Sequence, residues 1–143
     1  MKLRDIMSRE IASLDCGDSV EAAAQLMKQY NVGSIPVTDQ GKVVGIVTDR
    51  DITLRSVASG QGTDRQSVSD VMTSNPVLGT PEMDVHEAAR IMGDKQIRRL
   101  PVVENNSLVG MVSLGDISVE PRLSDNAEVA LKNISKPSSG SIR

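Results

Sequence analysis

One spacing governs how this chain can fold. Asp5 and Asp70, Met7 and Met72, Pro36 and Pro101, Gly45 and Gly110, and Asp51 and Asp116 are each 65 residues apart. Residues 3–54 align with 68–119 without a gap, and 13 of the 52 aligned positions are identical. Such a period means two copies of one supersecondary unit, so whatever one copy forms the other must also form. With 143 residues the chain is one compact domain or two very small ones, long enough to bury a core. We place the first repeat at 1–59, a Gly/Ser/Gln-rich linker at 60–67, the second repeat at 68–120 and a tail at 121–143.

Each repeat reads in the same order. After Asp5-Ile6-Met7, or Asp70-Val71-Met72, comes a short strand-like segment, Ile11 to Leu14 or Pro76 to Leu78. A helix follows. Asp18 with Glu21, and Asp84 with Glu87, have capping-box spacing, and Val20, Ala23, Ala24 and Met27 match Val85, Ala88, Ala89 and Met92 as one narrow apolar stripe. Two strands come next. Pro36-Val37-Thr38 turns at Asp39-Gln40-Gly41 into Lys42 to Thr48, and Pro101-Val102-Val103 turns at Glu104-Asn105-Asn106 into Ser107 to Ser113. The prolines are expected at strand starts, because proline cannot donate to a central ladder. A second helix starts near Asp49 and runs through Leu54 and Val57 to Gly60. In the tail, Ser124-Asp125-Asn126 is placed to cap a helix from Ala127 to Ile134, and residues 136–143 are expected to be disordered.

The strand-to-helix junction carries the chemistry. Gly45-Ile46-Val47-Thr48-Asp49-Arg50-Asp51-Ile52 returns as Gly110-Met111-Val112-Ser113-Leu114-Gly115-Asp116-Ile117. A hydroxyl and a carboxylate beside the unpaired N–H groups of a helix start are suited to the phosphate and ribose of a nucleotide. The same spacing also describes a capping box, in which Thr48 caps the helix and Asp51 returns the bond. Both readings are open on the residues alone.

Composition removes several functions. The net charge of −3 gives no basic face for nucleic acid, and Tyr30 as the only aromatic leaves no base-stacking platform. Cys16 is the only cysteine, so there is neither a disulfide framework nor a thiolate metal cluster. The opening Met1-Lys2-Leu3-Arg4-Asp5 lacks the apolar run of a signal peptide, and nothing approaches membrane-spanning length; a cytoplasmic protein is expected. Catalysis has little support. His86 is the one histidine, placed on a solvated helix face beside Glu87, and there is no nucleophile–base constellation, metal-ligand run or P-loop.

The order helix, Leu/Ile-Pro-Val-Val, turn, Val-Gly-apolar-Val-Thr/Ser-x-x-Asp-Ile, preceded by Asp-apolar-Met, resembles the cystathionine-β-synthase (CBS) domain. Two copies in tandem resemble a CBS pair, or Bateman module, of the small free-standing bacterial kind, over about residues 1–119. The resemblance implies an α+β fold of two βαββα repeats packed with pseudo-two-fold symmetry through their sheets. It implies a regulatory, non-enzymatic module whose clefts bind AMP, ADP, ATP, S-adenosylmethionine or NADH as ligand, with no cofactor. A homodimer and an unidentified target protein follow as partners; the alternative is a dimerisation module with vestigial sites. By the same resemblance, Asp51 and Asp116 bind ribose hydroxyls and Thr48 and Ser113 contact phosphate. Ser34-Ile35 and Arg99-Leu100 line the adenine through backbone, and the loops opening the repeats add Ser8 with Ile11 and Thr73 with Val77. For Ile11, Ile35, Val77 and Leu100 plain core packing is an equal alternative. Arg50, Arg98 and Arg99 are the candidate cations for a phosphate chain, and the contrast of Gly33-Ser34 with Arg98-Arg99 makes the two sites unequal.

Overall fold

The computed structural model describes residues 1–118 and 131–134. The tail helix from Ala127 is therefore described only over 131–134, which is helical; its cap, its first residues, the end of the second repeat and the segment after 134 lie outside the described residues. The fold is mixed α+β, as expected. Its strands are β1 (Leu14–Asp15), β2 (Ser34–Asp39), β3 (Lys42–Thr48), β4 (Thr73–Ser74), β5 (Arg99–Glu104) and β6 (Ser107–Ser113). The α-helices are α1 (Val20–Tyr30), α2 (Asp49–Ile52), α3 (Val68–Val71), α4 (Val85–Lys95) and α5 (Leu114–Ser118). A π-turn over Thr53–Val57 extends α2.

The chain forms two compact units, and they are not the sequence repeats. One unit comprises Glu10–Val77 with Asn105–Leu108; the other comprises Met1–Arg9, Leu78–Glu104 and the chain from Val109 onward. Each unit thus takes the Asp-apolar-Met opening segment of the other repeat.

In the first unit, β2 and β3 form the expected hairpin, with Gln40 and Gly41 at φ of +53° and +83° in the turn. β1 adds in parallel to β2, with Leu14 opposite Val37. β4 adds antiparallel to β3, with Thr73 opposite Ile46 and Ser74 opposite Gly45. The core gathers Leu14, Val20, Ala23, Met27, Ile35, Val37, Val47, Ile52, Val68 and Val71. Ala24 is exposed, so the stripe on α1 is narrower than its pattern suggested, with Leu26 half-buried at its margin. Leu54 and Val57 also face outward, 51% and 62% exposed, because the π-turn rotates the residues after Ile52 away from the helical period.

The second unit repeats the pattern. β5 lies beside β6, Ser8 bridges to Met111, and Gly79 bridges to Val102. Its buried residues include Leu3, Val85, Ala88, Ala89, Met92, Leu100, Val102, Val112 and Ile117. Pro36 and Pro101 are the third residues of their strands rather than the first. The fold tolerates this because the outer neighbour of β5 calls on the Pro101 carbonyl and the Val103 N–H, at 2.8 and 2.9 Å, and passes over the proline nitrogen.

Helix starts also differ from expectation. Ser19, not Asp18, caps α1 by accepting from the Ala22 N–H at 3.0 Å, while Asp18 accepts from the Asp15 N–H at 2.9 Å. Asp84 caps α4 through the His86 N–H at 2.8 Å, and Glu87 makes no described return bond, so neither helix has a capping box. The linker is held rather than loose: Gln66 and Thr63 offer their carbonyls to the Val20 and Glu21 N–H groups of α1, each at 2.9 Å.

Gly45 and Gly110 are required by close approach. A Cβ on Gly45 would stand 2.5 Å from Met72 Sδ and 2.9 Å from the Thr73 carbonyl; on Gly110 it would stand 2.5 Å from Met7 Sδ and 3.2 Å from the Ser8 carbonyl. Gly45→Ala and Gly110→Ala should each lower stability by about 1–3 kcal/mol, the usual cost of forcing extra volume into a packed interior. Urea melts read this directly, and an unshifted midpoint in either variant would contradict the interlock.

Candidate functional site

Each unit holds one copy of the strand-to-helix junction. In the first, the Thr48 N–H donates to Asp51 Oδ2 at 3.0 Å and the Asp51 N–H donates to Thr48 Oγ1 at 3.0 Å. In the second, the Ser113 N–H donates to Asp116 Oδ2 at 2.9 Å and the Asp116 N–H to Ser113 Oγ at 3.1 Å. The capping box is therefore real in both copies. It does not consume the carboxylate, since one oxygen is left to accept other donors and the box fixes where that oxygen lies.

The neighbours regroup the sequence candidates. Ser34 pairs with Thr48 across the hairpin, and Ile35 with Val47. Thr73, from the opening of the second repeat, joins the first junction and shares its hydroxyl between Asp51 Oδ1 and Oδ2 at 3.4 and 3.3 Å. Ser8, from the opening of the first repeat, joins the second junction, exchanging backbone bonds with Met111 at 2.9 and 3.0 Å. Ser8 and Ile11 are thus parted between units, whereas Ile11, Thr73 and Val77 share one. Ile35 and Leu100 are fully buried; Ile11 and Val77 are half-buried.

The junctions differ where the motif varies. The Asp49 N–H donates to the Gly33 carbonyl at 2.9 Å, and the Leu114 N–H to the Arg98 carbonyl at 3.0 Å. Asp49 Oδ1 then accepts from the Arg50 N–H at 2.8 Å, so the first three N–H groups of α2 are all occupied and offer nothing to a phosphate. Leu114 has no such oxygen, and the Gly115 N–H has no described partner. Arg98 is exposed and Arg99 half-buried in the unit that holds Asp116, while Arg50 is exposed in the unit that holds Asp51.

Arg55 is a residue that sequence reasoning missed. Its Nη1 donates to the Val71 and Met72 carbonyls at 3.2 and 3.1 Å and stands 3.9 Å from Asp51 Oδ1. The available signal was its spacing of four from Asp51 on one helical face.

A match to the CBS-domain family covers residues 3–57 and 68–120, both copies of the repeat. The chain belongs to the CBS-domain family. The CBS domain-containing protein YhcV of Bacillus subtilis is 46% identical over 134 residues, spanning 93% of this chain and 94% of its own. Among solved structures, PAE2072 from Pyrobaculum aerophilum, complexed with AMP, superposes with a TM-score of 0.78 at 28% identity over 91% of this chain and 98% of that one. The CBS domain pair of MJ0100, in complex with 5′-methylthioadenosine and S-adenosyl-L-methionine, gives a TM-score of 0.74 at 28% identity over 83% and 94%. No helix of the described residues is long and apolar enough to cross a membrane.

Away from the junctions, folding gathers Asp15, Cys16 and Asp39, whose ligand atoms lie within 4.8 Å of one another, a grouping that no sequence run announces. Loss of solvent around the half-buried thiol, and then the charges of Asp39 and Asp15, push the Cys16 pKa above its ordinary value. A raised thiol pKa means less thiolate at neutral pH. Cys16 should therefore react with a disulfide reagent more slowly in the folded than in the urea-unfolded chain at pH 7.5, with the gap closing as pH rises. A separate consequence concerns the boxes: Asp51→Ala and Asp116→Ala should each lose about 0.5–2 kcal/mol of stability, the cost of a lost cap, in urea melts.

Proposed function

We propose that this CBS pair is a non-catalytic sensor that binds an adenosine-containing ligand at the carboxylate of its duplicated strand-to-helix junction. The observation that carries this reading is that each duplicated carboxylate is fixed by the same reciprocal pair of bonds, which sets one oxygen in place while leaving it able to accept. A fixed carboxylate suits the cis-diol of a ribose, because it accepts charge-assisted hydrogen bonds without reorganising. Support comes from AMP, 5′-methylthioadenosine and S-adenosylmethionine in structures of the same fold. On this reading Thr48 and Ser113 stand beside phosphate, and the backbone at Ser34-Ile35 and Arg99-Leu100 beside adenine. The nucleotide acts as a regulatory ligand rather than a cofactor.

The reading extends to partners. A homodimer is proposed, with Leu54 and Val57 among the exposed large apolar residues of the first unit as the ones that a second copy covers. Its state is passed to a target protein in the cytoplasm. Light scattering should then give about twice the 15.3 kDa chain mass.

The direct test of the sensor is a melt with AMP, ATP or S-adenosylmethionine. A ligand at 100 times its dissociation constant should stabilise the protein by about 2.7 kcal/mol, and no shift with any of the three would refute the reading. A finer outcome concerns phosphate. Arg98 and Arg99 lie in the unit of Asp116, so binding there should favour ATP over AMP, and the preference should shrink as salt rises, because exposed charges are screened over about 8–10 Å at physiological ionic strength. Titrations of the Asp51→Ala variant, with and without Arg98→Ala and Arg99→Ala, measure that preference; an ATP/AMP ratio that ignores both arginines would remove them from the site.

A further inference from the structure

Two copies of one junction allow a comparison within a single chain, and the comparison is unequal. Asp51 is closed in: its side chain is 10% exposed, it accepts from the Thr48 N–H, and the Thr73 hydroxyl lies across both of its oxygens. Arg55 adds a positive charge 3.9 Å from Oδ1, and the same guanidinium holds the Val71 and Met72 carbonyls, which keeps Thr73 over the carboxylate. Asp49 places a second carboxylate against Gly33, its Oδ2 only 3.2 Å from where a Gly33 Cβ would be, and so sets negative charge beside this junction.

Among the described residues, Asp116 has no counterpart of the Thr73 hydroxyl, the Arg55 guanidinium or the Asp49 carboxylate. It is half-buried, and beyond the box with Ser113 its carboxylate has no other described partner. The residue 65 positions after Arg55 is Glu120, whose side chain has no N–H to donate and carries the opposite charge. The counterpart of Asp49 is Leu114, buried and uncharged.

We propose that the two sites differ by design of these neighbours: Arg55 and Thr73 act as internal ligands of Asp51, and an adenosine ligand enters at Asp116 alone in the resting protein. This inference rests on the sensor reading above and adds which site is used and which residues decide it. Arg55 is a specificity-determining residue because it competes with a ribose hydroxyl for Asp51 while fastening Thr73, the other competitor. The site at Asp51 is a latent one that opens when the Arg55 guanidinium is drawn away.

Calorimetric titration with AMP tests this on the full chain. Wild type should take one AMP per chain. Asp116→Ala should weaken that binding about tenfold or more, the loss of a hydrogen bond to a charged group. Arg55→Ala should gain a second equivalent, lost again when Asp51→Ala is combined with it. Thr73→Val, which removes the other internal donor without touching the guanidinium, should strengthen binding at Asp51 in an Asp116→Ala background. Two equal equivalents in wild type, or an Asp116→Ala variant that keeps the full affinity, would overturn the inference and leave the sensor standing. No binding of AMP, ATP or S-adenosylmethionine to wild type or Arg55→Ala would overturn both.

Discussion

The methionine of each opening segment sits where a mid-strand glycine lacks a side chain, and much else depends on that fit. Met72 lies on Gly45 and Met7 on Gly110, each sulfur at 2.5 Å from the position a Cβ would take. Methionine suits the task because an unbranched thioether can fill a narrow irregular space. Once the methionine is seated, the next residue must run beside the strand: Thr73 pairs with Ile46, and Ser8 bridges to Met111. The hydroxyl after the methionine is thereby delivered to the strand that ends in the site. Packing and site share one anchor.

The exchange follows from the same anchor. Because Met72 belongs in sequence to the second repeat and Gly45 to the first, neither repeat completes its own unit. This constrains the linker, which has to bring residue 68 back to the start of α1. It does so with bonds rather than slack: the Val68 N–H reaches the Asp18 carbonyl at 2.8 Å, and linker carbonyls take the first N–H groups of α1. A Gly/Ser-rich composition predicts flexibility only where backbone groups are left to water, and here they serve as the missing partners of a helix start.

How much of this the sequence displays depends on the range of each interaction. The hairpins, the Met27 and Met92 stripes and the exposure of His86 are local matters of period and turn chemistry, and they are legible. The choice of Ser19 over Asp18 as cap was also available, since Ser19 aligns with Asp84 in the gap-free register and both do cap. The exposure of Ala24 was not, because a period specifies a face without its width. At the site, the carboxylate and hydroxyl were legible as a pair, and of the two readings the capping box is the one the structure displays. The assignment of Thr73 to Asp51 was hidden, as were the role of Arg55 and the gathering of Asp15, Cys16 and Asp39, because each needs contacts distant in sequence.

The duplication also shows which parts of a junction can vary. The reciprocal bonds survive a change from Thr48 to Ser113, since either hydroxyl can accept an N–H and only the methyl is lost. The two positions inside the motif are not bound by the box, and there the copies part: Asp49-Arg50 against Leu114-Gly115. A charged Asp49 satisfies the Arg50 N–H, whereas a buried Leu114 joins the core and leaves the next N–H without a described partner. Arg55 against Glu120 continues the divergence four positions after each carboxylate in the sequence. The change at the two positions inside the motif leaves the reciprocal bonds in place. A carboxylate fixed by reciprocal bonds with the backbone therefore allows the side chains around it to change while the box stays intact.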